Sequence, residues 1–269
     1  MLLVVALVAV CLVALPTQAE AASSGDFSYS VGSGKATVTR YSGNDSHVTI
    51  PSTLGGYPVV ALGSSAFYGC SETTTVTVPA GILSIDEKAF YNSTGITAIW
   101  VDESNPNYSS DSEGALFNKA KTILIRVPEK RAENYTIPGT VVRIDPYAFH
   151  SCDYITEVDI PVSVLSIGNS AFSKCGQLAS LTLCEGLTSI GKEAFYECSL
   201  LTTVQIPDSV TAVGTGAFEE CRNLISVVIG DGWRVLAFVH SKAVLIWEPW
   251  KSDKVWLPSA IEPLKIAGS

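Results

Sequence analysis

Apolar and polar positions recur along most of this chain in one phrase with a fixed step. An Ala-Phe pair stands at Ala66-Phe67, Ala89-Phe90, Ala148-Phe149, Ala171-Phe172, Ala194-Phe195 and Ala217-Phe218, and the Phe residues lie 23 apart from 67 to 90 and again through 149, 172, 195 and 218. Counted from each Phe, an aliphatic residue lies eight before (Val59, Ile82, Val141, Val164, Leu187, Val210) and another five before (Leu62, Ile85, Ile144, Ile167, Ile190, Val213). Cys follows three after in five of six units, with Ser93 in the other, and apolar residues return six, nine and eleven after, as in Ile155, Val158 and Ile160. Pro often comes next (Pro79, Pro161, Pro207), where its missing donor stops a strand ladder. Positions nine and eleven point the same way from one short strand, which cannot bury its apolar side alone. Stacked at the strand spacing of about 4.8 Å, successive units give a parallel sheet with ladders of like residues inside and a spine of Phe. A step in this range predicts a solenoid.

The flanks extend the pattern. Residues 22–48 stand outside the repeat: Phe27-Ser-Tyr-Ser-Val31 alternates, Gly32-Ser33-Gly34 turns, and Ala36 to Tyr41 alternates again. This predicts a β-hairpin that caps the first turn and covers its open edge. From 49 to 269 the chain is expected to be repeat throughout. Leu116-Phe117 runs eleven residues to Pro128, and Ala237-Phe238 runs eleven to Pro249, so variant repeats are expected near 102–138 and 231–269, with Phe117 and Phe238 as disguised copies of the spine Phe. The next Phe falls due at position 269, where Ser269 stands, an uncapped end that predicts self-association there or a truncated arm of a larger surface protein.

Leu2 to Leu15 is apolar throughout and is followed by Pro16-Thr-Gln-Ala-Glu-Ala-Ala22, the core and small-residue cleavage site of an export signal. Residues 1–21 are expected to leave as that signal, cut after Ala19 or Ala21, although no Lys or Arg precedes the apolar run. Its fourteen residues fall short of the roughly 20 of a membrane span, so no span is expected after cleavage. With 47% hydrophobic and 16% charged residues the chain has ample apolar surface to bury. A net charge of −9 without a Lys/Arg cluster argues against nucleic acid.

The phrase V164-L-S-I-G-N-S-A-F-S-K-C175, its copies, the entry I50-P-S-T-L-G-G-Y-P-V-V-A-L-G-S-S-A-F-Y-G-C70 and the variant N105-P-N-Y-S-S-D-S-E-G-A-L-F-N-K119 resemble the BspA-like leucine-rich repeats of secreted and surface proteins of bacteria and some protozoan parasites. The resemblance covers residue 27 to the end. It implies an α/β, β-rich, right-handed leucine-rich-repeat solenoid with a strand on the concave side and a short helical turn near Ala-Phe-x-x-Cys. It also implies a secreted or cell-surface, non-enzymatic role in adhesion, with a protein or glycoprotein ligand of host or extracellular-matrix type. No catalytic residue and no cofactor carries over, and no wall-anchoring module follows.

Binding by such a solenoid is expected on the concave face, at the outward positions eight and ten after each Phe. These are Thr75 and Thr77, Ala98 and Trp100, Glu157 and Asp159, Ser180 and Thr182, Thr203 and Gln205, Ser226 and Val228. Trp100 stands out as an anchoring aromatic; the alternative is that it packs on the variant repeat around Tyr108. Glu157 and Asp159 could attract a basic partner or a cation, or be a solvated pair. Of the seven Cys, Cys11 belongs to the signal, Cys70, Cys152, Cys175, Cys198 and Cys221 share one inward position, and Cys184 takes a Pro position nearer the surface, as the reactive candidate. Disulfides between consecutive rungs are geometrically allowed, but parallel side chains favour buried free thiols. His47, His150 and His240 are isolated, and no metal is expected. Asp102 to Gly114 resembles a calcium loop in composition only, with Pro106 in its way. Gly32-Ser33-Gly34-Lys35 lacks the spacing of a phosphate loop, and no Ser sits in a nucleophile elbow. Asn44, Asn92, Asn107 and Asn134 open Asn-x-Ser/Thr acceptors that matter only in a eukaryotic source.

Overall fold

The computed structural model describes residues 20–130, 135–229 and 233–235. Residues 1–19 of the expected export signal and most of the C-terminal variant repeat, with Phe238, fall outside them. Each 23-residue unit is one turn of a coil with two strand ladders. The first is built from longer strands such as Thr75–Val78, Ala98–Val101, Glu157–Asp159 and Ser180–Thr182. Pairing is parallel and steps by the repeat: Thr75 faces Ala98, Glu157 faces Ser180, and Thr203 faces Ser226. The second ladder uses two-residue strands five and six before each Phe, with Ser166 facing Ser189 and Ser189 facing Ala212. Alternation decides the faces: Val158 is buried while Glu157 and Asp159 on either side of it are exposed.

Between the ladders the Phe side chains stack. Phe149–Phe172, Phe172–Phe195 and Phe195–Phe218 have centroids 4.5, 5.1 and 5.2 Å apart with rings within 13° of parallel. Full burial of each ring stabilises by about 2–3 kcal/mol. Where another Ala-Phe unit follows directly, the Phe amide donates to its Ala carbonyl, as Phe172 does to Ala194 at 2.7 Å. In the carboxy-terminal turns the Cys thiol donates to the Phe carbonyl of the turn before: Cys175 to Phe149, Cys198 to Phe172 and Cys221 to Phe195, at 3.0, 3.2 and 3.1 Å. The corner therefore uses both halves of the expected Ala-Phe-x-x-Cys phrase.

The expected helical turn there does not form, and no α-helix or 3-10 helix occurs among the described residues. The corner is a chain of single turns, with Ala171 donating to Gly168 and Cys175 to Phe172. In the carboxy-terminal units two left-handed residues interrupt it: Ser170 (φ 53°) and Lys174 (φ 63°), Glu193 (φ 55°) and Glu197 (φ 57°). A helix cannot propagate through such residues. Four before the Phe, Gly191 sits so close to the preceding turn that a Cβ would lie 2.5 Å from the Gly168 carbonyl carbon.

At the amino end, Phe27–Gly32 and Lys35–Tyr41 form the expected antiparallel hairpin, and Glu20–Ser24 adds a third strand. Lys35–Tyr41 then pairs in parallel with Tyr57–Leu62. Tyr41 heads the spine. Its amide donates to the Ala66 carbonyl at 2.6 Å as a spine Phe would, and its ring lies 5.8 Å from Phe67.

The spine is interrupted between Phe90 and Phe149. Here Tyr108–Ser110, Leu116–Asn118 and Ile123–Arg126 run antiparallel to one another, and Ile123–Arg126 re-enters the parallel ladder with Leu124 opposite Ile144. Phe117, expected as a spine ring from its distance to Pro128, lies on the antiparallel strand opposite Leu124. The spine position belongs to Val127, whose amide donates to Ala148 at 2.7 Å and whose carbonyl receives the Cys152 thiol. The hairpin is a partition between two apolar cores. Leu116 is buried in the amino-terminal core with Ile125 packed against it, whereas Phe117 and Leu124 belong to the carboxy-terminal one.

Both cores need their ends satisfied at the partition. Asn105 Nδ2 donates to the Pro79 and Ile82 carbonyls, Asn107 Nδ2 donates to the Leu83 carbonyl, and Tyr108 Oη accepts from the Ile85 amide. These side chains take the place of the missing strand on the second ladder. On the other side lies a buried polar group. Arg126, with 3% of its surface exposed, donates to Glu129 and to the carbonyls of Tyr147 and His150. Glu129 Oε1 also accepts from the Ser93 amide at 3.2 Å, while Oε2 has no partner. Burial pushes the Glu129 carboxyl above its ordinary range, with Arg126 pulling it back. Tyr91 and His150 close the corner, with ring centroids 4.4 Å apart.

Candidate ligand-binding face

The outward side chains of the longer strands form one face in three blocks. In the first, His47, Thr75 and Ala98 make one row and Thr49, Thr77 and Trp100 the next. Thr75 and Thr77 are half-buried, and Thr75 Oγ1 lies 2.8 Å from His47 Nδ1. His47, read as isolated in the sequence, thus belongs to the row; its position two before Thr49 in an alternating stretch was the signal. Ala98 is buried beneath the chain at Gly114, which is left-handed (φ +80°) and so close that a Cβ there would meet Ala98 Cβ at 2.3 Å.

The second block pairs Glu157 with Ser180 and Asp159 with Thr182, all four exposed. Neither carboxylate forms an ion pair among the described residues, so the two acids stand side by side in solvent. The third block pairs Thr203 with Ser226 and Gln205 with Val228, with Thr203 and Gln205 exposed and Ser226 and Val228 half-buried. The structure thus brings Glu157, Asp159, Ser180 and Thr182 together with Thr203 and Gln205 on neighbouring turns. Thr75, Thr77 and Trp100 form a separate group across the partition.

Trp100 is 39% exposed and makes no ring contact among the described residues. It lies beside the variant repeat at Ser109 to Ser112, where the Tyr108 hydroxyl accepts from the Ile85 amide. Beside Trp100 opens a cavity of about 420 Å³ lined by Asp102, Glu103, Ser109, Ser112 and Lys121. A second cleft, of about 840 Å³, lies at the break in the other ladder, between Leu83 and Ile85 on one side and Ile123, Arg143 and Asp145 on the other. Burial raises the Asp145 carboxyl, against the pull of Arg143, whose Nε donates to it at 2.7 Å.

Cys70, Cys152, Cys175, Cys184, Cys198 and Cys221 are buried and not joined in disulfides. Burial raises Cys175 and Cys198 well above the usual thiol range, which suppresses the reactive thiolate. Cys184 is not the surface thiol its Pro position suggested. It is 6% exposed, contacts the Val164 carbonyl at 3.5 Å and is also raised by burial. Among the described residues no cluster of three His, Cys, Asp or Glu could hold a metal ion, and no helix is long and apolar enough to cross a membrane.

The model of the BspA type leucine rich repeat region matches residues 41–129 and 127–238, in six copies. No curated protein matches the chain. Among solved structures, the pneumococcal vaccine antigen PcpA is 16% identical, with 79% of this chain and 82% of that one covered at a TM-score of 0.55. A leucine rich cell surface protein from Faecalibacterium prausnitzii is 20% identical over 80% of this chain and 96% of that one, at a TM-score of 0.43. A leucine-rich repeat protein from Eubacterium ventriosum is 17% identical over 77% and 83%, at 0.47. The likeness to PcpA is one of fold.

Proposed function

The chain belongs to the BspA-type leucine rich repeat family, and from that premise we propose that it is a secreted or cell-surface, non-catalytic protein that binds a protein or glycoprotein ligand across its longer-strand face, the concave side. One observation carries this reading. Glu157, Asp159, Ser180, Thr182, Thr203 and Gln205 project from paired strands with their side chains exposed, while the residues between them, such as Val158 and Val204, are buried. The buried letters serve the stacking, and the outward ones have no structural task. The solenoid holds them on a rigid sheet, which lowers the ordering entropy that a ligand must overcome. The amino-terminal hairpin acts as the cap of the coil, since Lys35–Tyr41 occupies the open edge of Tyr57–Leu62. The names of two structural neighbours, a vaccine antigen and a cell surface protein, support exposure outside the cell.

The test is capture of the purified chain on an array of host and extracellular-matrix proteins. Specific capture that is lost on combining Trp100→Ala, Glu157→Ala and Thr203→Ala supports the face. Specific capture that survives all three together would refute it.

A further inference from the structure

The strand that carries Trp100 is closed along the edge that faces the cavity. Ile99 donates its amide to the Gly114 carbonyl at 2.8 Å, and Val101 donates to Ser110 Oγ at 3.2 Å. These are the two amides that an added strand would need, so peptide docking by strand addition is excluded at this edge. A ligand here must be held by side chains. The indole of Trp100 supplies an exposed apolar plate, and the rim around it is polar apart from Val101. Asp102 and Glu103 bring acceptors, and the Ser104 hydroxyl and amide hold the Asp102 carboxyl below its ordinary range. Lys121 brings an ammonium from a left-handed position (φ 54°) in the hairpin turn that Asn118 organises through the amides of Thr122 and Ile123. Neither Glu103 nor Lys121 forms an ion pair among the described residues, and Ser112 is exposed.

We propose that the Trp100 cavity binds a pyranose ring of a glycan chain, with the C–H face of the sugar on the indole and its hydroxyls shared between Asp102, Glu103, Ser112 and Lys121. An apolar plate with both acceptors and donors on its rim fits this ligand class. A pyranose has one C–H face, and each of its hydroxyls both donates and accepts. The cavity of about 420 Å³ lies within the range of about 300–1,000 Å³ typical of small-ligand sites. The proposal deepens the reading of the longer-strand face as the ligand surface and rests on it, naming a ligand chemistry for the part of that face on the amino-terminal side of the partition.

The experiment is saturation-transfer NMR of the purified chain with methyl pyranosides of neutral hexoses, an N-acetylhexosamine and a hexuronate. At least one should receive saturation, with the transfer abolished by Trp100→Ala and reduced at least fivefold by Lys121→Ala and by Glu103→Gln. Asp208→Asn, at an exposed turn on the far side of the partition, should leave it unchanged. Absence of transfer to every pyranoside, or transfer that survives Trp100→Ala, overturns the proposal. The two readings fail separately. Protein capture sensitive to Glu157 and Asp159 but without sugar transfer sinks the glycan site alone. Sugar transfer without any protein capture retains the cavity and removes the wider face.

Discussion

Ser93 Oγ donates to the Phe67 carbonyl at 2.7 Å across one turn of the coil, the bond that the Cys175 thiol gives to Phe149 at 3.0 Å. The one Ser in the Cys column is therefore a like-for-like replacement, keeping a buried carbonyl satisfied beside the partition. Ser93→Ala leaves that carbonyl without its side-chain partner and should cost about 1–2 kcal/mol, whereas Ser93→Cys should cost less than about 1 kcal/mol. Urea denaturation of both variants checks the difference.

Close stacking of turns predicts a sharp contrast between two glycines. A Cβ at Gly191 would lie 2.5 Å from the Gly168 carbonyl carbon, while one at Gly176 would meet only Asp153 Oδ1 at 3.5 Å. Gly191→Ala should destabilise by more than about 2 kcal/mol, as overpacking against backbone does. Gly176→Ala should stay within about 1 kcal/mol of the parent in thermal unfolding.

Left-handed corners predict a stabilising substitution. Glu197 sits at φ 57° two after its Phe, the place that Gly69 fills at φ 75° in an earlier turn. Glu197→Gly removes a left-handed cost of about 1–2 kcal/mol and gives back part of it in unfolded-chain entropy. A net gain of about 0.5 kcal/mol, read as a higher denaturant midpoint at unchanged slope, is expected, with no change in binding.

His150 predicts a pH dependence. Burial first, then the nearby Arg126 and Lys174 charges, depress it to about 3, and its Nδ1 lies 2.9 Å from Ser151 Oγ. A depressed pKa means that the unfolded chain takes the proton first. The contribution of neutral His150 is therefore complete above its ordinary 6.5 and is lost as pH falls toward 3. The loss should amount to roughly 3–5 kcal/mol over that window. Tyr occupies the same position after Phe67, Phe90 and Phe195, so His150→Tyr should fold. Stability of parent and variant measured from pH 7 to pH 4 should diverge, with the parent falling further. Parallel curves would contradict the assignment.

The stacking half of this fold was readable because it repeats. A 23-residue step puts Phe149, Phe172, Phe195 and Phe218 in one column, and the strand registers follow it residue for residue. What was not readable is direction. Phe117 keeps the spacing to Pro128 that a spine Phe would have, but spacing has no sign. The turn at Asn118 to Thr122 sends the chain back antiparallel, and Val127 takes the spine position. Nor was the corner conformation readable. Ser170 and Lys174 look compatible with a helical turn, and their left-handed angles come from the need to turn between two ladders. On the candidate face, the rows followed from alternation alone. The cavity beside Trp100 did not, because Glu103, Ser112 and Lys121 come to it from a variant segment that breaks the period.

The partition at Leu116 and Phe117 has a mechanical consequence. In a coil where each turn touches only its neighbours, a disturbance spreads through nearest-neighbour coupling, and its reach is set by the weakest joint. Here that joint is a hairpin wall with Arg126, Glu129 and His150 buried beside it, in place of stacked rings. The molecule is thus two cooperative blocks in series, and loosening of the turns around Phe195 and Phe218 stops at the wall. Trp100 and its cavity stand on the sheltered side.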